Sequence, residues 1–250
     1  MSCIGCRDGD PFPVEFTMAF QPIVDMNART IWGYEALVRG VDGQGAGAVL
    51  SSVTASNMYR FDQACRVKAI EIAGAKMDSR TAKLSINFMP NAVYEPKACI
   101  RATLAAAAKV GFDPKRLMFE FTENERISDA AHVERIVAEY RQMGFMTALD
   151  DFGAGYAGLG LLTRLQPDIL KLDMELIRDI DASPAKRAIV SGLVKIADDL
   201  GLTLLGEGVE TSRELAVLRD LGIRLFQGFL FGKPELERFV CSADIVLPTE

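Results

Sequence analysis

The sequence predicts an α/β fold in one domain, a TIM-type (β/α)8 barrel, on three observations. β-prone runs alternate with helical periodicities over most of the chain. Eight such runs fit within 250 residues, the usual span of a barrel. Polar residues recur at the C-terminal ends of the runs, where a barrel gathers them at one mouth. A doubly wound open sheet is the alternative, but no G-x-G-x-x-G follows any run, so dinucleotide binding has little support.

Residues 1–15, rich in Gly, Pro and charge, read as a tail, and 16–250 as the barrel domain. Phe16–Asp25 and Thr30–Arg39 are strands joined by only Met26-Asn27-Ala28-Arg29, which implies an antiparallel hairpin. Gly40–Gly47 is a glycine-rich loop. Residues 48–78 carry one or two helices, with Val67, Ile70 and Ile72 on the apolar face. Lys83–Met89 is a strand, 97–110 an Ala-rich helix and Arg116–Thr122 a strand. Over 129–143, Val133, Ile136, Val137, Tyr140 and Met143 recur at helical spacing. Met146–Asp150 is a strand, a helix follows near Leu159–Leu165, and Asp168–Leu172 is a strand. Ile189, Leu193, Ile196, Ala197 and Leu200 form one face of a helix over 184–200. Leu202–Leu205 is a strand, 211–221 a helix and Ile223–Phe226 the last strand.

Composition excludes several classes. Hydrophobic residues at 49% and charged residues at 25% rule out a disordered or collagen-like chain. No apolar stretch reaches the ~18 residues of a membrane helix. Arg7, Asp8, Asp10 and Glu15 interrupt any signal-peptide core, so a cytoplasmic protein is expected. A net charge of −6 argues against binding to long nucleic acid. The single histidine, His132, excludes multi-histidine metal sites; it lies beside an apolar helix face, is expected to be solvated and receives no role. The five cysteines are an odd number and read as reduced thiols; Cys3-x-x-Cys6 lacks the second pair that a zinc site needs.

The chemistry concentrates at the strand ends. Glu35, Asn87, Glu120 and Glu123, Asp150 and Asp151, Lys171 and Asp173, Glu207 and Glu210, and Gln227 all fall there. Taken singly, a strand-end carboxylate often caps the next helix, and Asp-Asp-Phe-Gly has the composition of a turn. Jointly the pattern asks for more. Asn87, Glu120 and Lys171 follow apolar residues in β-prone runs, where an unpaired charge costs several kcal/mol. Metal ions supply the counter-charge. Glu35, Asn87, Glu120, Asp150, Asp151 and Glu207 offer only oxygen donors, which suit Mg²⁺ or Mn²⁺. Adjacent Asp150 and Asp151 can serve two ions, the arrangement that hydrolyses a phosphate ester.

These residues carry a resemblance. Phe20-Gln21-Pro22-Ile23, Glu35-Ala36-Leu37, Asn87, Glu120-Phe-Thr-Glu123, Asp150-Asp151-Phe152-Gly153, Lys171-Leu172-Asp173, Glu207-Gly208-Val209-Glu210 and Gln227-Gly228 follow one another as in the EAL domain, a bacterial cyclic-di-GMP-specific phosphodiesterase. The chain resembles that family from Phe16 to about Pro234. The resemblance implies a modified TIM barrel whose first strand is antiparallel to the rest, and hydrolysis of cyclic di-GMP to linear 5′-pGpG with two Mg²⁺ or Mn²⁺ ions. It implies metal ligation by Glu35, Asn87, Glu120, Asp150 and Asp151, with Glu207 on the second metal or its water. Lys171 would touch the attacking water or the scissile phosphate, and Gln21 and Arg39 would hold the substrate. Gln227 would position water, Glu210 and Asp173 would support the site, and Glu123 would anchor the loop after Asp151. That loop often reads Thr-Gly-Tyr-Ser-Ser in the family and couples dimerisation to metal binding; here it is Ala154-Gly155-Tyr156-Ala157-Gly158. A homodimer is implied, with regulation from a partner, a sensor protein or the Cys3/Cys6 tail.

Two competing expectations stand beside the active enzyme. One is a catalytically silent receptor that binds the dinucleotide without cleaving it; the other is a barrel enzyme with a different phosphorylated substrate. Phe229 and Phe231 are either core residues at the last strand or stacking platforms for guanine.

Overall fold

The computed structural model describes residues 12–93, 95–122, 130–154, 158–241 and 245. The chain opens with β1 (Phe16–Asp25) and β2 (Thr30–Gly40), an antiparallel hairpin that pairs Gln21 with Glu35. Two helices follow, α1 (Ala46–Leu50) and α2 (Met58–Lys76). Then come β3 (Lys83–Asn87), α3 (Pro96–Cys99), α4 (Arg101–Val110), β4 (Leu117–Thr122), α5 (Ala130–Gln142), β5 (Met146–Phe152) and α6 (Gly158–Leu162). The chain continues through β6 (Ile169–Leu172), α7 (Met174–Ile177), α8 (Pro184–Leu200), β7 (Thr203–Gly206), α9 (Ser212–Asp220), β8 (Leu225–Gln227) and β9 (Glu235–Leu236).

Strands β2 to β8 run parallel in chain order. β1 closes the ring, antiparallel to both β2 and β8. The modified barrel with a reversed first strand is thus what the chain forms. The hairpin connection has no room for a helix, so the outer face of β1 and β2 needs another cover. The C-terminal segment supplies part of it, beside α1 on β2 and α2 on β1. β9 pairs with Ala19 and Phe20. Phe239 then packs on Phe20 and Tyr34, at centroid distances of 4.1 and 5.0 Å, and the Tyr34 hydroxyl donates to the Val240 carbonyl at 2.7 Å.

Strand alternation sorts the side chains. Leu84, Leu117, Phe119, Phe121, Leu149, Leu170, Leu172 and Phe226 pack outward in the main core beneath the helices. Ile23, Met118, Ala148, Ile169, Leu205 and Leu225 form a separate apolar cluster from six strands, a plug filling the barrel. Two residues along each parallel strand, this parity delivers Glu120, Asp150, Lys171, Glu207 and Gln227. On β1 the step is two residues back, from Ile23 to Gln21, because that strand runs the other way. The polar layer at the mouth is therefore the next storey above the plug.

The helix boundaries have local causes. Pro184 occupies the first turn of α8, Ser183 Oγ caps it by accepting from Lys186 N, and Gly201 ends it in a left-handed turn with φ 70°. The buried face of α8 is Val190, Leu193 and Ala197; Ile189 and Leu200, expected in the same face, are 52% and 42% exposed. The last strand lies at Leu225–Gln227 rather than Ile223–Phe226, so Gln227 ends the strand itself. Phe231 is core and Phe229 is exposed, with Lys233 over its ring. His132 is not simply solvated: its Nε2 bonds the Val93 carbonyl across to the loop after β3.

Helix α2 hides a pair that periodicity does not announce. Phe61, Cys65, Ala69 and Ala73 form its apolar stripe, and Asp62 and Arg66 are buried beside it. Arg66 Nη2 meets Asp62 Oδ2 at 2.6 Å, while Asp62 Oδ1 accepts from Met89 N at 2.9 Å. Removing one partner strands the other charge in the core. Asp62→Ala should lower unfolding free energy by about 3–5 kcal/mol, whereas Asp62→Leu with Arg66→Met should cost far less. Urea denaturation of both variants checks this; equal losses would show that the charges themselves are what the fold requires.

Candidate metal centre at the barrel mouth

Lys171 is the hub of the mouth. It points inward from β6 with no solvent exposure. Its Nζ lies 2.8 Å from Glu207, 2.9 Å from Asp150, 3.1 Å from Glu120 and 3.5 Å from Glu35. Burial alone would lower the pKa of an ammonium, but Asp150, Glu120, Glu207 and Glu35 outweigh it and hold Lys171 well above its ordinary value.

The donors come from successive strands. Glu35 on β2 accepts from Asn87 Nδ2 at 3.1 Å and from Gln227 Nε2 at 2.7 Å. Asn87 Nδ2 also donates to Glu120 on β4 at 3.0 Å. Gln227 Nε2 reaches Gln21 Oε1 at 3.1 Å, and Gln21 Nε2 donates to the Gly232 carbonyl at 3.0 Å. Gly228 follows Gln227 because a Cβ there would collide with the Val209 backbone.

Asp150 and Asp151 need a special device. Strict alternation would send one carboxylate in and the other out. The β5–β6 register shifts between Leu149 and Phe152, and Asp151 takes a left-handed φ of 55°. Such an irregularity re-aims a side chain, at a cost of about 1–3 kcal/mol for a non-glycine residue. Both carboxylates then reach the mouth. Single oxygens of Glu35, Glu120 and Asp150 lie within 4.8 Å of one another, and so do those of Asp150, Asp151 and Glu207.

This much negative charge is not balanced by one ammonium. Burial first, then the neighbouring Glu35 charge, raises the Glu120 pKa well above its ordinary value against the pull of Lys171. Burial and Asp150 do the same to Glu207. Burial, Asp150 and Asp173 push Asp151 up to about 6. Glu35 goes the other way, because Lys171 and its hydrogen bonds outweigh its burial. Among the described residues, the buried Gln227 Oε1 has no hydrogen-bond partner, and Asp150 Oδ1 has only the Lys171 ammonium. A set of oxygen donors with spare lone pairs and raised carboxylate pKa values fits hard divalent cations.

Of the thirteen residues expected at the site, Glu35, Asn87, Glu120, Asp150, Asp151, Lys171, Glu207, Gln21 and Gln227 come together. Asp173 caps α7, accepting from Glu175 N at 2.7 Å, and lines the mouth with Met174 and Phe229. Glu210 lies at the rim, forked to Arg178 at 2.6 and 2.7 Å. Arg39 sits at the end of β2 with Nη1 on the Val38 carbonyl at 2.7 Å. Glu123, residues 155–157 of the loop after β5, and Cys3 and Cys6 lie outside the described residues. Sequence reasoning missed Ser85, whose buried hydroxyl donates to Glu120 Oε2 at 2.6 Å. Its signal was parity: it stands two residues before Asn87 on β3.

Comparison with known proteins places these features. A family model described as "EAL domain" matches residues 14–234. A crystal structure of a standalone versatile EAL protein from Vibrio cholerae O395, in its c-di-GMP-bound form, superposes with a TM-score of 0.88 at 48% identity, covering 92% of this chain and 96% of that one. Klebsiella pneumoniae BlrP1, as a manganese/cy-diGMP complex, gives 0.83 at 37% identity, covering 92% of this chain and 58% of that one. The Escherichia coli K12 blue light- and temperature-regulated antirepressor BluF is 31% identical over 87% of this chain and 54% of its own length. The cyclic di-GMP phosphodiesterase PA2567 of Pseudomonas aeruginosa is 28% identical over 93% of this chain and 40% of its own. The chain thus spans about half or less of these two curated relatives.

The raised carboxylates predict an inverted pH response. The unfolded groups titrate near about 4. Folded Asp151, Glu120 and Glu207 take up protons at higher pH than that, so the metal-free protein should become more stable as pH falls through about 6. Saturating Mn²⁺, which requires ionised ligands, should abolish or reverse the trend. Melting curves in chelator and in MnCl2 check it; a metal-free Tm that drops steadily over that window would refute it.

Proposed function

The chain belongs to the EAL domain family, and we propose that it is a phosphodiesterase that hydrolyses cyclic di-GMP to linear 5′-pGpG with two Mg²⁺ or Mn²⁺ ions. One observation carries the reading: Glu35, Glu120, Asp150 and Glu207 converge on Lys171, and Asp151 joins Asp150 and Glu207 beside it. Five negative charges less one positive leave four, the charge of two divalent cations. Glu35, Asn87, Glu120 and Asp150 would hold one ion, and Asp150, Asp151 and Glu207 the other. When bound, the ions supply an acidified water and neutralise charge building on the phosphate. The phosphodiesterase PA2567 and the manganese complex of BlrP1 support both the substrate and the metal class.

The remaining roles belong to this chain's own side chains. Lys171 is held in place by its strand and its neighbours; with ions taking up those carboxylates, its ammonium would donate to the attacking water or the scissile phosphate. Gln227 orients that water from the base of the site. Gln21 and Arg39 hold the substrate, Arg39 as a charge-assisted phosphate donor once it leaves the Val38 carbonyl. Glu210 and Asp173 brace the loops, and Glu123 anchors the one after Asp151.

The rest of the reading concerns setting. Residues 16–250 are assigned to one barrel domain, of which the family match covers up to residue 234. Among the described residues no helix is long and apolar enough to cross a membrane. Exposed Ile189 and Leu200 on α8 are compatible with a homodimer. The antirepressor BluF favours a second reading, a silent cyclic-di-GMP receptor that acts on another protein. The full donor set argues for turnover instead.

The deciding experiment is chromatography of products from cyclic di-GMP with Mg²⁺ or Mn²⁺, against a chelator control. Metal-dependent pGpG is expected; bound but intact substrate would make the chain a receptor. Glu35→Ala and Asp150→Asn should abolish turnover, and Lys171→Ala should reduce kcat by about 10²–10³ while sparing binding. Wild-type rates in these three would sink the site assignment. Arg39→Ala should raise KM about tenfold or more, and an unchanged KM would remove it from phosphate binding.

A further inference from the structure

We propose that Glu214 is a positioning residue for Glu207, its buried carboxylate tying the loop after β7 to the loop after β6. The proposal rests on the metal reading of the mouth. Glu214 lies in the first turn of α9 and is 2% exposed. Part of its bonding is an ordinary capping box. Its Oε2 accepts from Thr211 N at 3.0 Å, while Thr211 Oγ1 accepts from Glu214 N at 3.2 Å.

Two further bonds go beyond what a helix start requires. Oε2 also accepts from Glu210 N at 3.1 Å. Oε1 accepts from Asp179 N at 3.1 Å, and Asp179 stands 35 residues earlier, in the loop after α7. Asp179 holds a left-handed φ of 56° there. A surface cap would leave this second oxygen to water; here it is buried and aimed at a different loop.

The two loops carry the groups that must face each other. One begins at Glu207, directly after β7, and its carboxylate meets Lys171 at 2.8 Å. The other begins at Asp173, two residues after Lys171. They touch at Gly208, whose φ is 63° and where a Cβ would lie 2.5 Å from Met174 Cβ. Arg178 and Glu210 also span the loops, but that pair is partly exposed and an exposed pair contributes little. Glu35, Glu120 and Asp150 sit on strands and need no such tie. Glu207 sits past the end of its strand; its N–H still meets the Leu172 carbonyl at 3.1 Å, but the aim of its carboxylate toward Asp150 and Asp151 also depends on the loop that Glu214 fastens.

The test is calorimetric titration of the chelator-stripped full chain with MnCl2, without substrate, together with amide hydrogen exchange. Glu207→Gln identifies which ion the loop serves. Glu214→Gln keeps the side-chain volume but turns one oxygen into a donor facing N–H groups. It should weaken that ion about tenfold or more, leave the other near its wild-type affinity, and speed exchange at Asp179, Glu210 and Thr211. Thr211→Ala removes the capping hydroxyl but leaves the bond to Asp179, so both affinities should stay near wild type. Wild-type affinity in Glu214→Gln, or equal weakening in Thr211→Ala, would overturn the proposal. A wild-type chain that takes up no Mn²⁺ would sink the metal reading instead; unchanged exchange at Asp179 in Glu214→Gln would then overturn the tie itself.

Discussion

Charge held out of water inside a closed barrel is the constraint on which the rest depends. Lys171 has four carboxylates within ion-pairing reach and no exposure. An arrangement of this kind is costly unless every partner is fixed, because a loose ion in a low-dielectric mouth loses its compensation at once. The strands do the fixing: Glu35, Glu120, Asp150 and Lys171 are all strand residues. Amide groups fill the remaining directions, with Asn87 bridging Glu35 and Glu120, and Gln227 linking Glu35 to Gln21. The plug of Ile23, Met118, Ala148, Ile169, Leu205 and Leu225 below keeps the charged layer dry from beneath. The site is therefore a storey of the core in which side chains are charged, rather than a cleft added to the core.

That view explains how much was legible in advance. The fold and most of the donors follow from period-two alternation, since the polar layer repeats the plug's parity two residues along each parallel strand. The reversed step on β1, from Ile23 to Gln21, follows from the four-residue hairpin connection. Ser85 obeys the same parity and could have been found by it. Parity does not account for the Asp150–Asp151 pair, to which the adjacent carboxylates and the resemblance point: alternation forbids two neighbours on one face, and the register shift and the left-handed Asp151 permit it.

Helix faces were less legible than strand faces. On α8 two apolar stripes run side by side, Ile189, Ile196 and Leu200 next to Val190, Leu193 and Ala197. Periodicity finds that a helix is amphipathic but cannot choose between stripes about 70° apart; the strands beneath make that choice, burying the second. On α2 the difficulty was different. Asp62 and Arg66 lie next to the apolar stripe and pair with each other, but what holds Asp62 in the core is a backbone N–H of Met89 on another element. Long-range bonds from side chain to backbone leave no trace in local pattern, and the Glu214–Asp179 bond is hidden for the same reason.

The two donor groups are consequently unequal in their mechanical support. Glu35, Glu120 and Asp150 are buried on three strands of a continuous hydrogen-bonded ring, and moving one means moving the ring. Asp151 and Glu207 are only partly buried, Asp151 on a backbone irregularity and Glu207 just past a strand end, where its N–H donates to the Leu172 carbonyl. Local opening is cheapest where backbone bonding is sparse. An influence arriving at the mouth from outside the barrel, through the loop after β5 or the loops after β6 and β7, thus acts on the Asp150, Asp151 and Glu207 group and leaves the other almost untouched. On the proposed reading, the first ion is set by the fold and the second by the loops, and control over turnover needs to reach only the second.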